Sequence, residues 1–130
     1  MKPYERFDAW REAHQLVLLV YRTSQVFPKH ELYGLTSQFR RAAFSVSASI
    51  AEGSAKKGPR EFRRYLDIAV GSLSELAYIL HLVKDLGFLN DEAWTALDRQ
   101  RELAARLTWG LYASVQRSSA RQSVGPPARR

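Results

Sequence analysis

The chain has 130 residues, of which 45% are hydrophobic, and its net charge at neutral pH is +7. This length and apolar content describe one globular domain and exclude a disordered chain. The absence of cysteine excludes disulfides and cysteine-based metal sites. The positive charge favours polyanionic partners, with nucleic acid first, an anionic membrane surface second and an acidic protein third.

Residues 1–6 lead into no long apolar run, so we expect no secretory signal. The longest such run, Leu16 to Tyr21, is too short to span a bilayer. We therefore expect a soluble, cytoplasmic protein without a membrane partner.

Helical periodicity predicts a first helix over residues 7–26, which ends because Phe27 precedes Pro28 and resists the helical region. The second predicted helix, residues 35–55, is rich in alanine and serine, and such small side chains let a neighbouring backbone come close. Residues 56–59 form the turn into the third helix.

The third predicted helix, residues 59–86, is the one around which the chain is organised. Its heptad row is apolar: Phe62, Leu66, Ala69, Leu73, Leu76, Leu80 and Val83. A second row lies beside it: Tyr65, Ile68, Ser72, Glu75, Ile79, Leu82 and Leu86. Two adjacent rows make an arc too wide for one partner helix. Pro59 and Gly87 suit the first turn and the C-terminal cap of this helix.

A fourth helix is predicted over residues 91–118, with Asn90 as its N-cap. Residues 119–130 are polar and contain Gly125, Pro126 and Pro127, which predicts a disordered basic tail. Four long helices joined by short loops indicate an all-α domain, residues 1–118, folded as an antiparallel up-and-down four-helix bundle.

The sequence contains no motif typical of catalysis or of a cofactor. None of its three histidines, His14, His30 and His81, follows a glutamate by three residues, as a di-iron bundle requires. There is no Gly-x-Ser-x-Gly turn and no glycine-rich phosphate loop. We therefore predict no enzymatic activity, no metal and no cofactor.

A set of polar residues is predicted to lie inside the apolar rows: Arg41, Ser45, Ser49, Glu52, Ser72 and Glu75. Carboxylates in such positions are costly unless they are paired. We interpret the set as a structural network in which Arg41 neutralises Glu52 or Glu75, and the sequence does not choose between the two. A buried catalytic pair is the less favoured interpretation.

Between residues 40 and 64, seven bases oppose only Glu52 and Glu61. The basic residues that we predict to contact nucleic acid are Arg40, Lys56, Lys57, Arg60, Arg63 and Arg64. Such side chains contact phosphates without reading bases. A second, flexible patch is predicted at Arg117, Arg121, Arg129 and Arg130. The alternative is a solvated surface that keeps the protein soluble.

The wide arc of the third helix, together with Trp94, Trp109 and Tyr112, predicts more apolar surface than one thin bundle can cover. Burial of that surface favours association between copies of the chain. The alternative is a thick monomeric core.

Several motifs resemble the four-helix-bundle proteins encoded in intervening sequences of bacterial 23S rRNA genes. The resemblance covers residues 4–115, and it rests on residues 31–42, Ser45, the run Ile50-Ala51-Glu52-Gly53, and Glu61, Phe62, Tyr65, Leu66, Ile68, Ala69, residues 71–73, Glu75 and Leu76. Phe7, Ala9, Trp10 and Ala13 fit as well. Family members often have Asn where this chain has Ser49.

The resemblance implies an up-and-down bundle, a homopentamer and no catalytic residue. The family looks related to the accessory protein of diversity-generating retroelements, which is basic and pentameric and binds nucleic acid and a reverse transcriptase. We therefore predict a homo-oligomer, a pentamer, that binds nucleic acid, and RNA in particular, without strong sequence specificity. The alternative is an adaptor for a nucleic-acid enzyme such as a reverse transcriptase.

Overall fold

The computed structural model describes residues 1–124, and it describes side chains as far as residue 121. This part of the chain is all-helical and contains no β-strand. Three short 3-10 segments, Pro3–Arg6, Ser24–Val26 and Lys29–Glu31, accompany four long helices: α1, Asp8–Thr23; α2, Leu35–Ser54; α3, Pro59–Leu86; and α4, Asp91–Val124. The prediction of an all-α fold with four long helices is confirmed.

Local chemistry sets both ends of α3 and the start of α4. Pro59 occupies the first turn of α3, directly after Gly58 with its φ of 82°. Gly87 adopts the left-handed conformation, and its N–H donates to the carbonyls of Val83 and Lys84. The side-chain oxygen of Asn90 accepts a hydrogen bond from the N–H of Ala93 at 2.8 Å, which satisfies an otherwise unpaired donor.

Each helix packs against two others, in the cyclic order α1, α2, α3, α4. The first apolar row of α3 faces this shared core, and six of its seven members are buried, while Phe62 is half-buried. Polar contacts between helices accompany the packing. The Trp94 Nε1 donates to the Leu80 carbonyl at 2.7 Å, and the Gln100 Nε2 donates to the Glu12 carbonyl at 2.9 Å. The core is therefore shared by all four helices.

The first helix ends in regular α-geometry at Thr23, and Ser24–Val26 continues as a 3-10 turn. Phe27 then leaves the helix before Pro28, as a residue before proline does. Its ring is buried and stacks on Phe39, with the centroids 5.6 Å apart. The chain thus turns from α1 towards α2 around an aromatic contact.

The fourth helix is longer than the sequence indicates, since it continues to Val124. Residues 119–124, which we predicted as the start of a disordered tail, are helical. Val115 and Ser119 are buried and lie one helical turn apart on the inner face, so packing maintains the helix in this polar stretch. Residues 125–130 of the predicted tail lie outside the described part of the chain.

By length and composition alone, α3 is able to cross a membrane, because one 18-residue window has a mean hydropathy of 1.5. Polar residues interrupt this window, so no continuous apolar run in the sequence marks it. In the structure 44% of the window is buried inside the protein, and the buried row packs against the neighbouring helices. The core helix of a soluble bundle has this same composition.

Candidate nucleic-acid interface

The turn between α2 and α3 presents two adjacent lysines, Lys56 and Lys57, and both are exposed. The α2 helix ends at Ser54, and the N–H of Lys56 donates to the carbonyl of Gly53 at 3.1 Å. Neither ammonium group makes an ion pair with an acidic side chain of the described residues. This turn therefore holds two uncompensated positive charges in a short, ordered segment.

Tyr65, on the first turns of α3, lies between two of the cations. The Lys56 Nζ is 5.4 Å from the Tyr65 ring centroid, and the Arg64 guanidinium carbon is 5.1 Å from it. A cation over an aromatic face is attracted by the ring quadrupole. Tyr65 therefore helps to hold both cations near the turn, a role that the sequence analysis did not assign to it.

Arg64 also pairs with Glu61 one turn earlier, and its NH2 is 3.1 Å from the Glu61 Oε2. The hydrogen bond to Glu61 and then the charge of Glu61 raise the pKa of Arg64, with a smaller contribution from Tyr65. The guanidinium is therefore charged at every physiological pH. Because Glu61 compensates part of this charge, Arg64 contributes less net potential than either turn lysine.

The remaining two predicted contacts on α3 differ in accessibility. Arg60 is exposed, whereas Arg63 is half-buried on the side that faces α4. The hydrogen bond to Asp67, burial and the charge of Asp67 raise the pKa of the Tyr112 hydroxyl of α4, and the charge of Arg63 offsets part of this rise. The Nε of Arg63 is buried and has no hydrogen-bond partner among the described residues. Arg63 therefore belongs to the α3–α4 boundary more than to the open surface.

Arg40 does not join this cluster. Its Nε donates to the Ser24 hydroxyl at 2.9 Å, and its guanidinium carbon lies 5.0 Å from the centroid of the Tyr21 ring. Arg40 is fourteen residues from the end of α2, which corresponds to roughly 21 Å along the helix. The proximity of these residues in the sequence suggested one cluster. The length of α2 instead places Arg40 beside the C-terminal end of α1.

Two further arginines, Arg117 and Arg121, lie in the C-terminal part of α4. Tyr112 of α4, five residues before Arg117, interacts with Asp67 of α3, which lies eight residues after Pro59. Arg117 and Arg121 are exposed and helical, although we predicted them in a flexible patch. Arg129 and Arg130 of that patch lie beyond the described residues. From residue 103 to residue 124, α4 contains three arginines and no acidic residue.

The predicted polar network is present in part, with one member that the sequence analysis missed. The Ser72 hydroxyl donates to the Ser45 hydroxyl at 2.8 Å across α2 and α3. The Gln38 amide donates to Glu75, and the Arg41 NH2 donates to the Gln38 Oε1 at 3.3 Å. Gln38 therefore links Arg41 to Glu75.

Direct pairing of Arg41 with Glu52 or Glu75 was wrong, because no such ion pair exists among the described residues. Arg41 and Glu52 are exposed and not part of an apolar row, so water solvates their charges. Ser49 is buried. Glu52, the carboxylate predicted to lie near it in the network, instead lies beside the N-terminal segment.

Several large apolar side chains remain exposed on a single chain. On the outer face of α3 they include Ile68, Tyr78 and Leu86, and on α2 Phe44 is also exposed. Of the three aromatic residues predicted for an oligomer surface, Trp94 and Tyr112 are half-buried and only Trp109 is exposed. The second row of α3 is thus covered only in part by the chain itself.

Four helices with a basic turn and a half-covered apolar face define a small, basic, helical protein without a recognisable catalytic centre in its described part. Residues 5–110 match the family described as 23S rRNA-intervening sequence protein. The match covers most of the chain, and the protein belongs to this family. No curated protein matches the chain.

Proposed function

We propose that the protein is a non-enzymatic, cytoplasmic homo-oligomer that binds nucleic acid, and RNA in particular, through phosphate contacts without strong sequence specificity. The observation that carries the proposal is the pair of uncompensated lysines in the α2–α3 turn, accompanied by Arg117 and Arg121. Backbone phosphates attract such a group regardless of base sequence. Arg60 and Arg64 extend the same surface along the first turns of α3.

The arrangement that gathers these charges is an antiparallel up-and-down bundle. Contacts between α2 and α3 pair Gln38 with Glu75, and Ser45 with Ser72. Contacts between α3 and α4 pair Leu80 with Trp94, and Asp67 with Tyr112. In both pairs of helices the residue numbers rise on one helix as they fall on the other. This order brings the α2–α3 turn and the C-terminal part of α4 to one end.

Association of copies is the second part of the proposal, and the resemblance to pentameric proteins makes five the expected number. The outer face of α3 exposes 66% of Tyr78 and 46% of Ile68, and such a face favours burial against a second copy. Burial contributes about 25 cal/mol per Å² of apolar surface. An oligomer multiplies a weak local phosphate-binding patch, because a strand held by one copy meets the next at high effective concentration.

The experiment is a comparison of two double variants that change the charge equally. Lys56→Glu/Lys57→Glu reverses the charge of the α2–α3 turn. Arg22→Glu/Lys29→Glu reverses the charge of two exposed bases at and just after the C-terminal end of α1. Affinity for a fluorescent RNA is measured over a series of salt concentrations. The proposal expects a large loss and a shallower salt dependence for the turn variant alone. Equal affinity of the turn variant and the parent contradicts it.

A protein-interaction adaptor is the second candidate, and one observation favours it. A groove of about 590 Å³ lies between the N-terminal segment and α2, and its walls include Tyr4, Trp10, Phe44 and Ala48. The lining is largely apolar, as in sites that receive a partner's side chains. Because the lining is apolar, a complex between this groove and a partner protein is expected to persist at salt concentrations that remove RNA. The salt dependence of binding therefore distinguishes the two functions.

A further inference from the structure

Trp109 is the most exposed of the three tryptophans, with 52% of its surface accessible. Its ring meets Tyr112 edge-on, with the centroids 5.6 Å apart. Tyr112 is in turn held against α3 by Asp67. Tyr112 therefore supports the indole, and about half of the indole surface remains open to solvent.

A shallow depression of about 680 Å³ lies beside the indole, lined by Arg101, Glu102, Ala105, Arg106 and Trp109. Ala105 and Ala113 precede and follow Trp109 by four residues each, so the side chains at these two neighbouring positions on the helix face are small. The volume is within the range of small-ligand sites. A planar ring the size of a nucleobase has room to lie against the indole here.

The charges around the depression are not equivalent. Arg101 is neutralised by Asp98, with its NH2 2.8 Å from the Asp98 Oδ1, and approaches Glu102 at 3.8 Å. Arg106 and Arg117 are exposed and have no acidic partner among the described residues. They lie on the same side of α4 as Trp109, at spacings of three and eight residues from it. Two available cations therefore flank the exposed ring.

We propose that Trp109 is a stacking platform for an unpaired nucleobase and that Arg106 and Arg117 contact the phosphates on either side of that base. This inference rests on the proposed function and narrows its ligand to single-stranded nucleic acid. Stacking on an aromatic side chain is available to every base but requires that the base be free of a helix. The turn lysines bind single strands and duplexes alike, since both present phosphates.

The occupant is a nucleic acid and not a second copy because of charge. From Arg106 to Arg121 the exposed side of α4 carries positive charge without an acidic residue, and the whole chain has a net charge of +7, so a second copy is a poor electrostatic partner for this face. A polyanion with π-faces complements both the cations and the indole. The outer face of α3, which lacks such a concentration of charge, is the surface assigned to association.

The test compares Trp109→Leu and Trp109→Phe with the parent on a single-stranded RNA and on a blunt RNA duplex, by fluorescence anisotropy at fixed salt. Leucine keeps an apolar contact with Tyr112 but cannot stack. We expect Trp109→Leu to bind the single strand about 5- to 100-fold more weakly, as loss of one stacked base implies. The duplex affinity stays the same, and Trp109→Phe retains most of the single-strand affinity.

Two further variants separate stacking from charge. Trp109→Leu leaves the salt slope of single-strand binding unchanged, because it removes no phosphate contact, whereas Arg106→Gln lowers the slope by about 0.7. Tyr33→Ala removes an aromatic ring that is 94% exposed in the loop before α2 and serves as the matched control without effect. Circular dichroism and solution mass verify that each variant keeps the parent's fold and subunit number.

An equal loss on single strand and duplex, an unchanged single-strand affinity or an altered subunit number for Trp109→Leu overturns the stacking role. If the turn double variant still loses its affinity in that case, the proposed function stands and only the inference fails. If the parent binds neither RNA, the proposed function and the inference both fail.

Discussion

Gly53 of α2 lies so close to Tyr65 of α3 that a Cβ atom on Gly53 would stand 2.8 Å from the Tyr65 Cβ. The same atom would stand 2.9 Å from the Phe62 ring and 3.3 Å from the Phe62 carbonyl oxygen. Two of these neighbours are a backbone atom and the first atom of a side chain, so they yield little. Close approach of the two helices at the basic turn therefore requires glycine at position 53.

Gly53→Ala is expected to destabilise the protein by about 1–2 kcal/mol. Alanine gains up to about 1 kcal/mol from helix propensity, but forcing α2 and α3 apart costs about 1–3 kcal/mol as overpacking does. Gly110→Ala is the matched control, because a Cβ at Gly110 meets nothing within 4 Å. That variant is expected to gain stability. Urea denaturation followed by circular dichroism measures both, and a more stable Gly53→Ala protein would show that the helices are not in close contact.

The Tyr112 hydroxyl is expected to lose its proton at a higher pH than an ordinary tyrosine. Its hydrogen bond to Asp67, its burial and the charge of Asp67 raise its pKa above the ordinary value of 10.0. The folded protein then holds this proton where the unfolded chain has lost it, so stability falls as the pH rises above 10. Below that pH the contribution is fully present.

Alkaline titration of tyrosinate absorbance measures this effect on the six tyrosines. The parent should show one late-titrating group, which disappears in Tyr112→Phe and shifts to lower pH in Asp67→Asn. Titration of all groups together in the parent would remove the Tyr112–Asp67 contact from the account of how α3 and α4 are joined.

Charge placed on the outer face of α3 is expected to separate the copies. In Ile68→Asp/Leu86→Asp each aspartate replaces a side chain about half exposed in the single chain, so the fold tolerates it. Full burial of such a side chain contributes about 1.5–3 kcal/mol, so an interface that covers its exposed half loses about 1 kcal/mol per side chain and also acquires buried charge. Light scattering should report a smaller particle with unchanged helicity. Val26→Asp, at an exposed position of the 3-10 segment after α1, is the control. An oligomer that survives the double variant must use another face.

The hydrogen bond between the Ser72 and Ser45 hydroxyls, which joins α2 and α3, is expected to contribute modestly to stability. Ser72→Ala removes the donor of the hydrogen bond to Ser45, and Ser45 is only half-buried, so water replaces the lost partner. We expect a loss of about 0.5–1.5 kcal/mol in the free energy of unfolding. Ser74→Ala, at an exposed position of the same helix, controls for helix propensity. A loss above about 3 kcal/mol would indicate a role beyond this single bond.

The ends of α3 were predictable because the residues that set them act locally. Pro59 lacks an N–H that the helix start does not need, and Gly87 adopts a left-handed cap, so neither depends on the rest of the fold. The end of α4 was not predictable in this way. Burial of Val115 and Ser119 against neighbouring helices extends it, and polar composition gives no sign of that contact.

The candidate site was predicted in composition but only partly in geometry. Lys56 and Lys57 are fixed at the surface by the turn itself, so their exposure followed from the sequence. Arg40 seemed near the two lysines because few residues separate them in the sequence. Those residues form most of α2, and the rise of the helix places Arg40 far from the turn. The linking role of Gln38 was missed for a related reason, since its contact with Glu75 spans 37 residues and depends on the register of α2 against α3.

Light scattering with simultaneous absorbance at 260 and 280 nm, on protein purified without nuclease or high salt, tests the central claim most directly. The account predicts a solution mass near five times the chain mass of 14.9 kDa and an absorbance ratio raised by bound nucleic acid. It further predicts that high salt lowers the ratio and leaves the protein mass unchanged. A peak of one chain with the absorbance ratio of pure protein would contradict both the association and the nucleic-acid binding.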